Sequence, residues 1–149
     1  MSQRWACLLG HPVGHSLSPR MHNSAFRAVG IDAVYEARDV APDALAEAVR
    51  AMRAPTCLGG NVTAPHKQAV LALLDDVSEV ARTLGAVNTI VNRDGRLRGD
   101  NTDAAGLARW MTEAAIDPRD ESALVLGAGG AARATVWALR ELGARRIHV

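Results

Sequence analysis

The segment 122–149 constrains the fold more than any other stretch of this 149-residue chain. A short apolar run from Ala123 to Leu126 leads straight into Gly127-Ala128-Gly129-Gly130, and a helical pattern then continues to Leu142. Gly143 ends that helix, and residues 146–149 begin another strand. A strand, a glycine turn, a helix and a second strand make one parallel β-α-β unit, so the sequence predicts an α/β fold.

The glycine turn also indicates a nucleotide site. Glycines allow a tight turn and a close approach of a pyrophosphate to the backbone amides, while the helix N-terminus supplies partial positive charge. Ala132 stands where a third glycine is usual, which the looser form of the pattern tolerates. A tight turn without a ligand is the alternative. The residue that would select NAD or NADP is expected beyond Val149, so that choice stays open.

One β-α-β unit cannot cover both faces of its own sheet. We therefore expect either that the chain is a piece of a longer protein, which we favour, or that something else completes the sheet.

Composition indicates a soluble globular protein, with 48% hydrophobic and 22% charged residues. A net charge of +1 gives no general attraction to nucleic acid or to an acidic membrane, and no apolar run approaches the length of a membrane span. Cys7 and Cys57 lie far apart in apolar runs, which is typical of buried thiols in a cytoplasmic protein. His11 and His15 are four residues apart, but Pro12 and Gly14 between them disfavour the helix that would align the two side chains. We therefore expect no metal site there.

The first part of the chain alternates strand and helix patterns. Strands are predicted over 5–9, 33–37 and 56–62, and helices over 42–52 and from Ser78 to Leu84. Ser18-Pro19 and Pro65 suit helix starts, with Ser18 as an N-cap. Asp94-Gly95 predicts a tight hairpin turn, and Thr102-Asp103 begins a further helix.

Lys67 is the only lysine among the seventeen cationic residues of the chain. Arginine is effectively never deprotonated, whereas a partly buried lysine can exchange a proton near neutral pH. Lys67 is therefore a candidate general acid/base, although an arginine-biased composition could also leave one ordinary surface lysine.

Small polar side chains gather where predicted strands end. They are Ser16, Ser18, Asn61, Thr63, Asn88, Asn101, Thr102 and Asp103. Loops at the carboxyl ends of sheet strands bind ligands in α/β proteins, and hydroxyls, amides and one carboxylate suit a small polyhydroxylated molecule. Turn or cap duty is the alternative for each residue taken singly.

Five ordered motifs resemble the shikimate dehydrogenase family. They are Gly10-His11-Pro12-Val13-Gly14-His15-Ser16-Leu17-Ser18-Pro19 with Met21-His22-Asn23, Asn61-Val62-Thr63-Ala64-Pro65-His66-Lys67, Gly85-Ala86-Val87-Asn88-Thr89, Gly99-Asp100-Asn101-Thr102-Asp103 and Gly127-Ala128-Gly129-Gly130-Ala131. Ala64 stands where a larger apolar residue is common in the family.

The resemblance implies a fold and a role for each motif. A three-layer substrate domain with a mostly parallel sheet would span residues 1–102. A bridging helix and the start of a Rossmann NADP-binding domain would span 103–149. Lys67 and Asp103 would be the catalytic pair and would also bind the substrate: Lys67 would exchange the proton of the reacting hydroxyl, and Asp103 would orient it and hold the same part of the substrate. Ser16 and Ser18 would bind the substrate carboxylate. Other residues would bind the ring hydroxyls and the cofactor. These are Asn61, Thr63 and Asn88 for the hydroxyls, and Gly127, Ala128, Gly129, Gly130 and Ala131 for the pyrophosphate, with Glu79 near the cofactor.

The activity implied is reversible NADPH-dependent reduction of 3-dehydroshikimate to shikimate, in chorismate and aromatic amino acid biosynthesis. An NAD-dependent quinate/shikimate dehydrogenase and a non-catalytic shikimate-binding module are the alternatives. Ser18 favours shikimate over quinate, because the resemblance to quinate-using relatives would place Thr there. Members of the family continue with the rest of the nucleotide domain, so we expect these residues alone to bind substrate with little or no turnover. Both a monomer and a homodimer stay open.

Overall fold

The protein contains two sheets with helices packed around them. The computed structural model describes residues 3–149. The strands are β1 (Arg4–Gly10), β2 (Ala33–Asp39), β3 (Cys57–Val62), β4 (Asp76–Val77), β5 (Thr89–Arg93), β6 (Arg96–Asp100), β7 (Ser122–Leu124) and β8 (Arg146–His148). The α-helices are α1 (Ser18–Ala28), α2 (Leu45–Ala51), α3 (Glu79–Leu84), α4 (Asp103–Glu113) and α5 (Gly130–Glu141), with 3₁₀ turns over Pro42–Ala44 and Ala69–Leu73.

The larger sheet has the strand order β2-β1-β3-β5-β6-β4. Strand β1 pairs in parallel with β2 and β3, and β4 pairs in parallel with β6. Strand β5 is antiparallel to both β3 and β6. The sheet is therefore mostly parallel, as predicted.

Strand β1 explains why this sheet is covered on both faces. Its residues Ala6 and Leu8 pack on one face with Phe26 of α1, while Cys7 and Leu9 pack on the other with Val49 of α2. Both sets are buried, which is typical of a central strand in a parallel sheet. Helix, sheet and helix give the three layers that were predicted for this part of the chain.

The hairpin between β5 and β6 is closed by the predicted turn. Asp94 and Gly95 both have positive φ, +53° and +84°, as a primed two-residue turn requires. The hairpin extends the sheet beyond β3 and carries the chain from Asn88 to the start of α4.

The smaller sheet pairs β7 and β8 in parallel, with α5 between them in sequence. This confirms the β-α-β unit predicted for the segment 122–149. Helix α4 begins directly after β6 and packs against α5, where Met111, Val125 and Leu139 share one buried cluster. The helix that starts at Asp103 therefore links the two sheets.

Two local predictions were wrong. No α-helix starts at Pro65, because the backbone there makes tertiary hydrogen bonds: the Lys67 carbonyl accepts from Val87 N at 2.8 Å instead of from the next helical turn. Ser18 is the first residue of α1 and not its cap, since Leu17 occupies the cap position without a side-chain hydrogen bond. Among residues 3–149, no helix is both long and apolar enough to cross a membrane.

Candidate active site

Lys67 and Asp103 form an ion pair between the β3–β4 connection and the start of α4. Lys67 Nζ donates to Asp103 Oδ2 at 2.6 Å, and the two side chains are 18% and 33% exposed. The Asp103 amide donates to Asn101 Oδ1 at 3.0 Å, which fixes the entry of the helix. The ammonium group is therefore held in place but remains partly open.

Asn88 fixes the other oxygen of the same carboxylate. This side chain, only 8% exposed, donates from Nδ2 to Asp103 Oδ1 at 2.7 Å and to Thr102 Oγ1 at 2.9 Å. Its Oδ1 accepts from Thr102 N at 3.0 Å and from Thr89 Oγ1 at 2.8 Å. Asn88 and Lys67 together bind both oxygens of Asp103, so the carboxylate cannot rotate freely.

Asn61 extends this network across the sheet. Strands β3 and β5 set Asn61 opposite Thr89, and Asn61 Nδ2 donates to Asn88 O at 3.3 Å and to Thr89 Oγ1 at 3.4 Å. Its Oδ1 accepts from the hydroxyl of Tyr35 on β2 at 2.7 Å. The predicted residues Asn61, Asn88, Asp103 and Lys67 are therefore one connected set.

Ser16, Ser18 and Thr63 line a cavity of about 500 Å³ beside the loop that follows β1. Ser16 Oγ accepts from Ser18 N at 3.2 Å, which orients the start of α1 toward this cavity. The loop is tied to the end of β2 by a short contact between His11 Nδ1 and the carboxylate of Asp39. That hydrogen bond lowers the pKa of Asp39 below its ordinary value.

A second cavity, of about 290 Å³, brings Lys67 and the glycine turn together. Thr63, Ala64 and Lys67 line one side, and residues 129–131 line the other. Thr63 and Ala64 also line the first cavity, so the two adjoin at these residues. A molecule beside the serines and one on the glycine turn would meet at this junction.

The glycine turn fits a dinucleotide pyrophosphate. Helix α5 starts at Gly130, and its cap residue Gly129 has no side chain that could accept from the first amides of the helix. A side chain built at Gly127 or Gly129 would meet nothing within 4 Å, so space for a ligand lies over both. Gly127 has φ +118°, a conformation that favours glycine. Residues 127–131 therefore have the backbone, the open space and the helix end that a pyrophosphate needs.

Gly130 touches the candidate catalytic lysine. A Cβ at this position would lie 3.0 Å from Lys67 Cδ and 3.2 Å from Lys67 Cβ. The absence of a side chain at Gly130 is what allows the lysine to pass beneath the turn toward Asp103.

Three predicted cofactor residues, Gly127, Ala128 and Glu79, are not among the residues that line this cavity. Ala128 lines a different cavity of about 370 Å³ between α3 and α5, and Glu79 lies in the first turn of α3. The role of Glu79 near the cofactor stays a prediction.

Sequence reasoning did not single out two buried side chains beside the site. Tyr35 is 3% exposed and binds Asn61, and burial raises the pKa of its phenol. His66 is 1% exposed, with Nε2 at 2.7 Å from the carbonyl oxygen of Val40. Tyr35 is the only tyrosine in the chain, a signal comparable to the single lysine.

The two thiols are inert by burial. Burial raises the pKa of Cys7 to about 12 and that of Cys57 above its ordinary value, so neither is a nucleophile near neutral pH. Within the described range 3–149, no three His, Cys, Asp or Glu side chains are grouped so that they could hold a metal ion.

The described geometry suits proton exchange beside a bound polyhydroxylated molecule. Lys67 supplies three N–H donors on a flexible stem, and Asp103 orients one of them. The hydroxyls of Ser16, Ser18 and Thr63 and the side-chain amides of Asn61 and Asn88 are uncharged donors and acceptors.

Known proteins match this chain along most of its length. A family described as the shikimate dehydrogenase substrate binding domain matches residues 8–90. The shikimate dehydrogenase (NADP(+)) of Salinibacter ruber is 59% identical over 133 residues, which are 89% of this chain and 47% of that protein. The chain spans about half the length of the curated relatives it matches.

Solved structures superpose on nearly the whole chain. Shikimate 5-dehydrogenase from Thermus thermophilus, in complex with NADP(H) and shikimate, aligns with a TM-score of 0.89 and 42% identity, covering 97% of this chain and 55% of that one. Shikimate dehydrogenase 1 from Peptoclostridium difficile aligns with a TM-score of 0.92 and 32% identity, covering 97% and 53%.

Proposed function

Because the chain belongs to the family of shikimate dehydrogenase substrate-binding domains, we propose that its protein is an NADP-dependent shikimate dehydrogenase. The reaction is the reversible reduction of 3-dehydroshikimate to shikimate. The observation that carries this proposal is the ion pair in which Lys67 Nζ lies 2.6 Å from Asp103 Oδ2, because Lys67 lines the cavity of about 290 Å³ that the glycine turn borders. That cavity adjoins the cavity beside the serine loop at Thr63 and Ala64.

Residues 1–102 bind the substrate in this proposal, and residues 103–149 begin the part that binds the cofactor. The substrate carboxylate lies beside Ser16 and Ser18, whose hydroxyls border the cavity of about 500 Å³. Ring hydroxyls bind Asn61, Thr63 and Asn88. Uncharged hydroxyls and amides suit these groups because each can both donate and accept.

Lys67 moves the proton. In the reduction its ammonium group donates a proton to the substrate oxygen, and in the oxidation the neutral amine removes it from the hydroxyl. Asp103 accepts a hydrogen bond from Nζ and so aims the remaining N–H groups at the substrate. Asn88 holds Asp103 in turn, so the aim of the lysine depends on both.

Gly127, Ala128, Gly129, Gly130 and Ala131 cradle the pyrophosphate of NADP. When bound, this cofactor supplies or accepts the hydride. The uncapped start of α5 offers amides and partial positive charge to the phosphates. Gly130, which contacts Lys67, joins the cofactor cradle to the proton-transfer pair.

The test is nicotinamide absorbance on mixing shikimate or quinate with NADP or NAD. It is run in parallel on this chain and on the longest product of its gene. We expect the long form to reduce NADP with shikimate, and this chain to bind shikimate with little turnover. Preferred use of NAD and quinate would instead identify a quinate/shikimate dehydrogenase. Shikimate binding without reduction by either form would refute the enzyme and leave a binding module.

Substitution of Asp103 by Asn tests the pair within that assay. The change keeps the size of the side chain and removes the charge that holds Lys67 Nζ, so both turnover and substrate affinity should fall. If neither changes, Asp103 is only a residue at a helix start.

A further inference from the structure

Tyr35 lies on strand β2 and is buried, and its side chain reaches Asn61 on β3. The side chain is 3% exposed, and its hydroxyl reaches Asn61 Oδ1 at 2.7 Å. Strand β1 lies between β2 and β3, so this contact crosses a whole strand of the sheet. Nothing in the proton-transfer scheme above uses this tyrosine.

The neighbours of Asn61 determine which end of its amide faces which partner. The backbone oxygen of Asn88 can only accept, so the group that approaches it at 3.3 Å is the NH₂ of Asn61. The amide oxygen therefore faces Tyr35, and the phenol is the donor. Because burial raises the pKa of this phenol, it keeps its proton throughout the neutral range.

Two side chains of helix α1 hold Tyr35 in place: Asn23 binds the backbone of Tyr35, and His22 stacks on its ring. Asn23 Nδ2 donates to the Tyr35 carbonyl at 2.9 Å, and the Tyr35 amide donates to Asn23 Oδ1 at 2.8 Å. The ring of His22 stacks on the ring of Tyr35, with centroids 4.2 Å apart and planes 15° apart. Burial lowers the pKa of His22, so the neutral imidazole is favoured in this stack.

We propose that Tyr35 is a positioning residue for substrate binding: its hydroxyl donates to Asn61 Oδ1 and, together with the Asn88 carbonyl on the NH₂ side, holds the side-chain amide of Asn61 in one place and one orientation. The proposal rests on the function proposed above, in which Asn61 binds a ring hydroxyl. In this proposal His22 and Asn23 of α1 act on the site through Tyr35, because they hold its ring and its backbone in place.

The first test is Tyr35→Phe in the longest product of the gene, which keeps the ring and removes the donor. Loss of one buried hydrogen bond corresponds to a several-fold to about tenfold weakening. The Michaelis constant for shikimate should rise by that factor while kcat stays within about twofold, because Asn61 binds the substrate away from the reacting carbon. An unchanged Michaelis constant overturns the proposal.

A double-mutant cycle with Asn61→Ala separates positioning from general loosening. If Tyr35 acts through Asn61, then Tyr35→Phe has no further effect once Asn61 is alanine. Independent, additive effects would contradict the proposal. Phe26→Leu is the matched control, because Phe26 packs in the same cluster as Tyr35 and its side chain has no hydrogen-bonding group to offer Asn61.

A ligand-free measurement keeps this proposal distinct from the function it rests on. The side-chain amide resonances of Asn61, assigned by their loss in Asn61→Ala, are recorded by NMR in the 149-residue chain. They should shift in Tyr35→Phe and stay in place in Phe26→Leu. Resonances that do not move in Tyr35→Phe overturn the link between the two residues. If wild-type protein neither binds nor oxidises shikimate, the proposed function fails, while these spectra still decide the link.

Discussion

Replacing Gly130 by alanine should displace Lys67 without unfolding the protein. The added Cβ would lie 3.0 Å from Lys67 Cδ and 3.2 Å from its Cβ, and 3.5 Å from Ala86 Cβ. Ordinary carbon contacts are about 3.5–4.0 Å, so the lysine side chain must retreat by a few tenths of an ångström. Its Nζ is now 2.6 Å from Asp103 Oδ2, and a retreat of this size lengthens that hydrogen bond.

The expected loss is in turnover. A misplacement of about 1 Å can cost a factor of about 100 in rate, so a shift of a few tenths of an ångström should lower kcat roughly fourfold. The free energy of unfolding should change little, since Gly130 is the first residue of α5, where Gly→Ala gains less than the roughly 1 kcal/mol of a helix interior. The assay is NADP reduction by shikimate at saturating concentrations of both, with thermal unfolding measured alongside.

Gly129→Ala is the matched control one residue earlier. A Cβ at Gly129 meets nothing within 4 Å, so Lys67 is left in place. This variant should raise the Michaelis constant for NADP through the cofactor cradle and leave the substrate side unchanged. The steric argument is refuted if Gly130→Ala keeps the wild-type kcat, or if Gly129→Ala loses as much kcat at saturating cofactor.

Substitutions at three further residues test individual contacts. Ser78→Ala removes the cap of α3 and should lower the free energy of unfolding by about 1 kcal/mol in denaturant titration; an unchanged value contradicts the cap. The guanidinium of Arg53 lowers the pKa of Asp75 below its ordinary value, so this pair stabilises the fold above the ordinary pKa, and that stabilisation is lost as the pH falls through the lowered pKa. Asp75→Asn should therefore flatten the acid side of the stability profile, and an unaltered profile would refute this. His66→Leu leaves the Val40 carbonyl without its imidazole partner and should lower both stability and kcat, whereas His66→Gln, which retains a donor, should recover part of each.

The candidate site residues stand out in the sequence wherever composition or strand ends set them apart. Lys67 is the single lysine, and Asp103 and Asn88 flank a hairpin whose turn was evident from Asp94-Gly95. The parallel sheet put the ends of β1 and β3 at the same edge, which is why the serine loop and Thr63 share a cavity.

Contacts between distant residues were not predictable in this way. Tyr35 and Asn61 are 26 positions apart and meet only because of the register of β2, β1 and β3. The contact of Gly130 with Lys67 depends on how the two sheets pack. The helix predicted to start at Pro65 does not form, because Val87 N donates to the Lys67 carbonyl, and this tertiary hydrogen bond outweighs the local helix preference.

The proposed proton transfer depends most directly on Lys67, and Lys67→Arg tests it. Arginine keeps the positive charge and can still bind Asp103, but it does not give up a proton at neutral pH. General acid/base catalysis contributes about 10²–10⁴-fold, so the rate of NADP reduction by shikimate should fall at least about 100-fold. Arg96→Lys, the reverse exchange at an exposed hairpin position, should keep the wild-type rate. A Lys67→Arg protein that turns over within a few-fold of wild type would contradict the account.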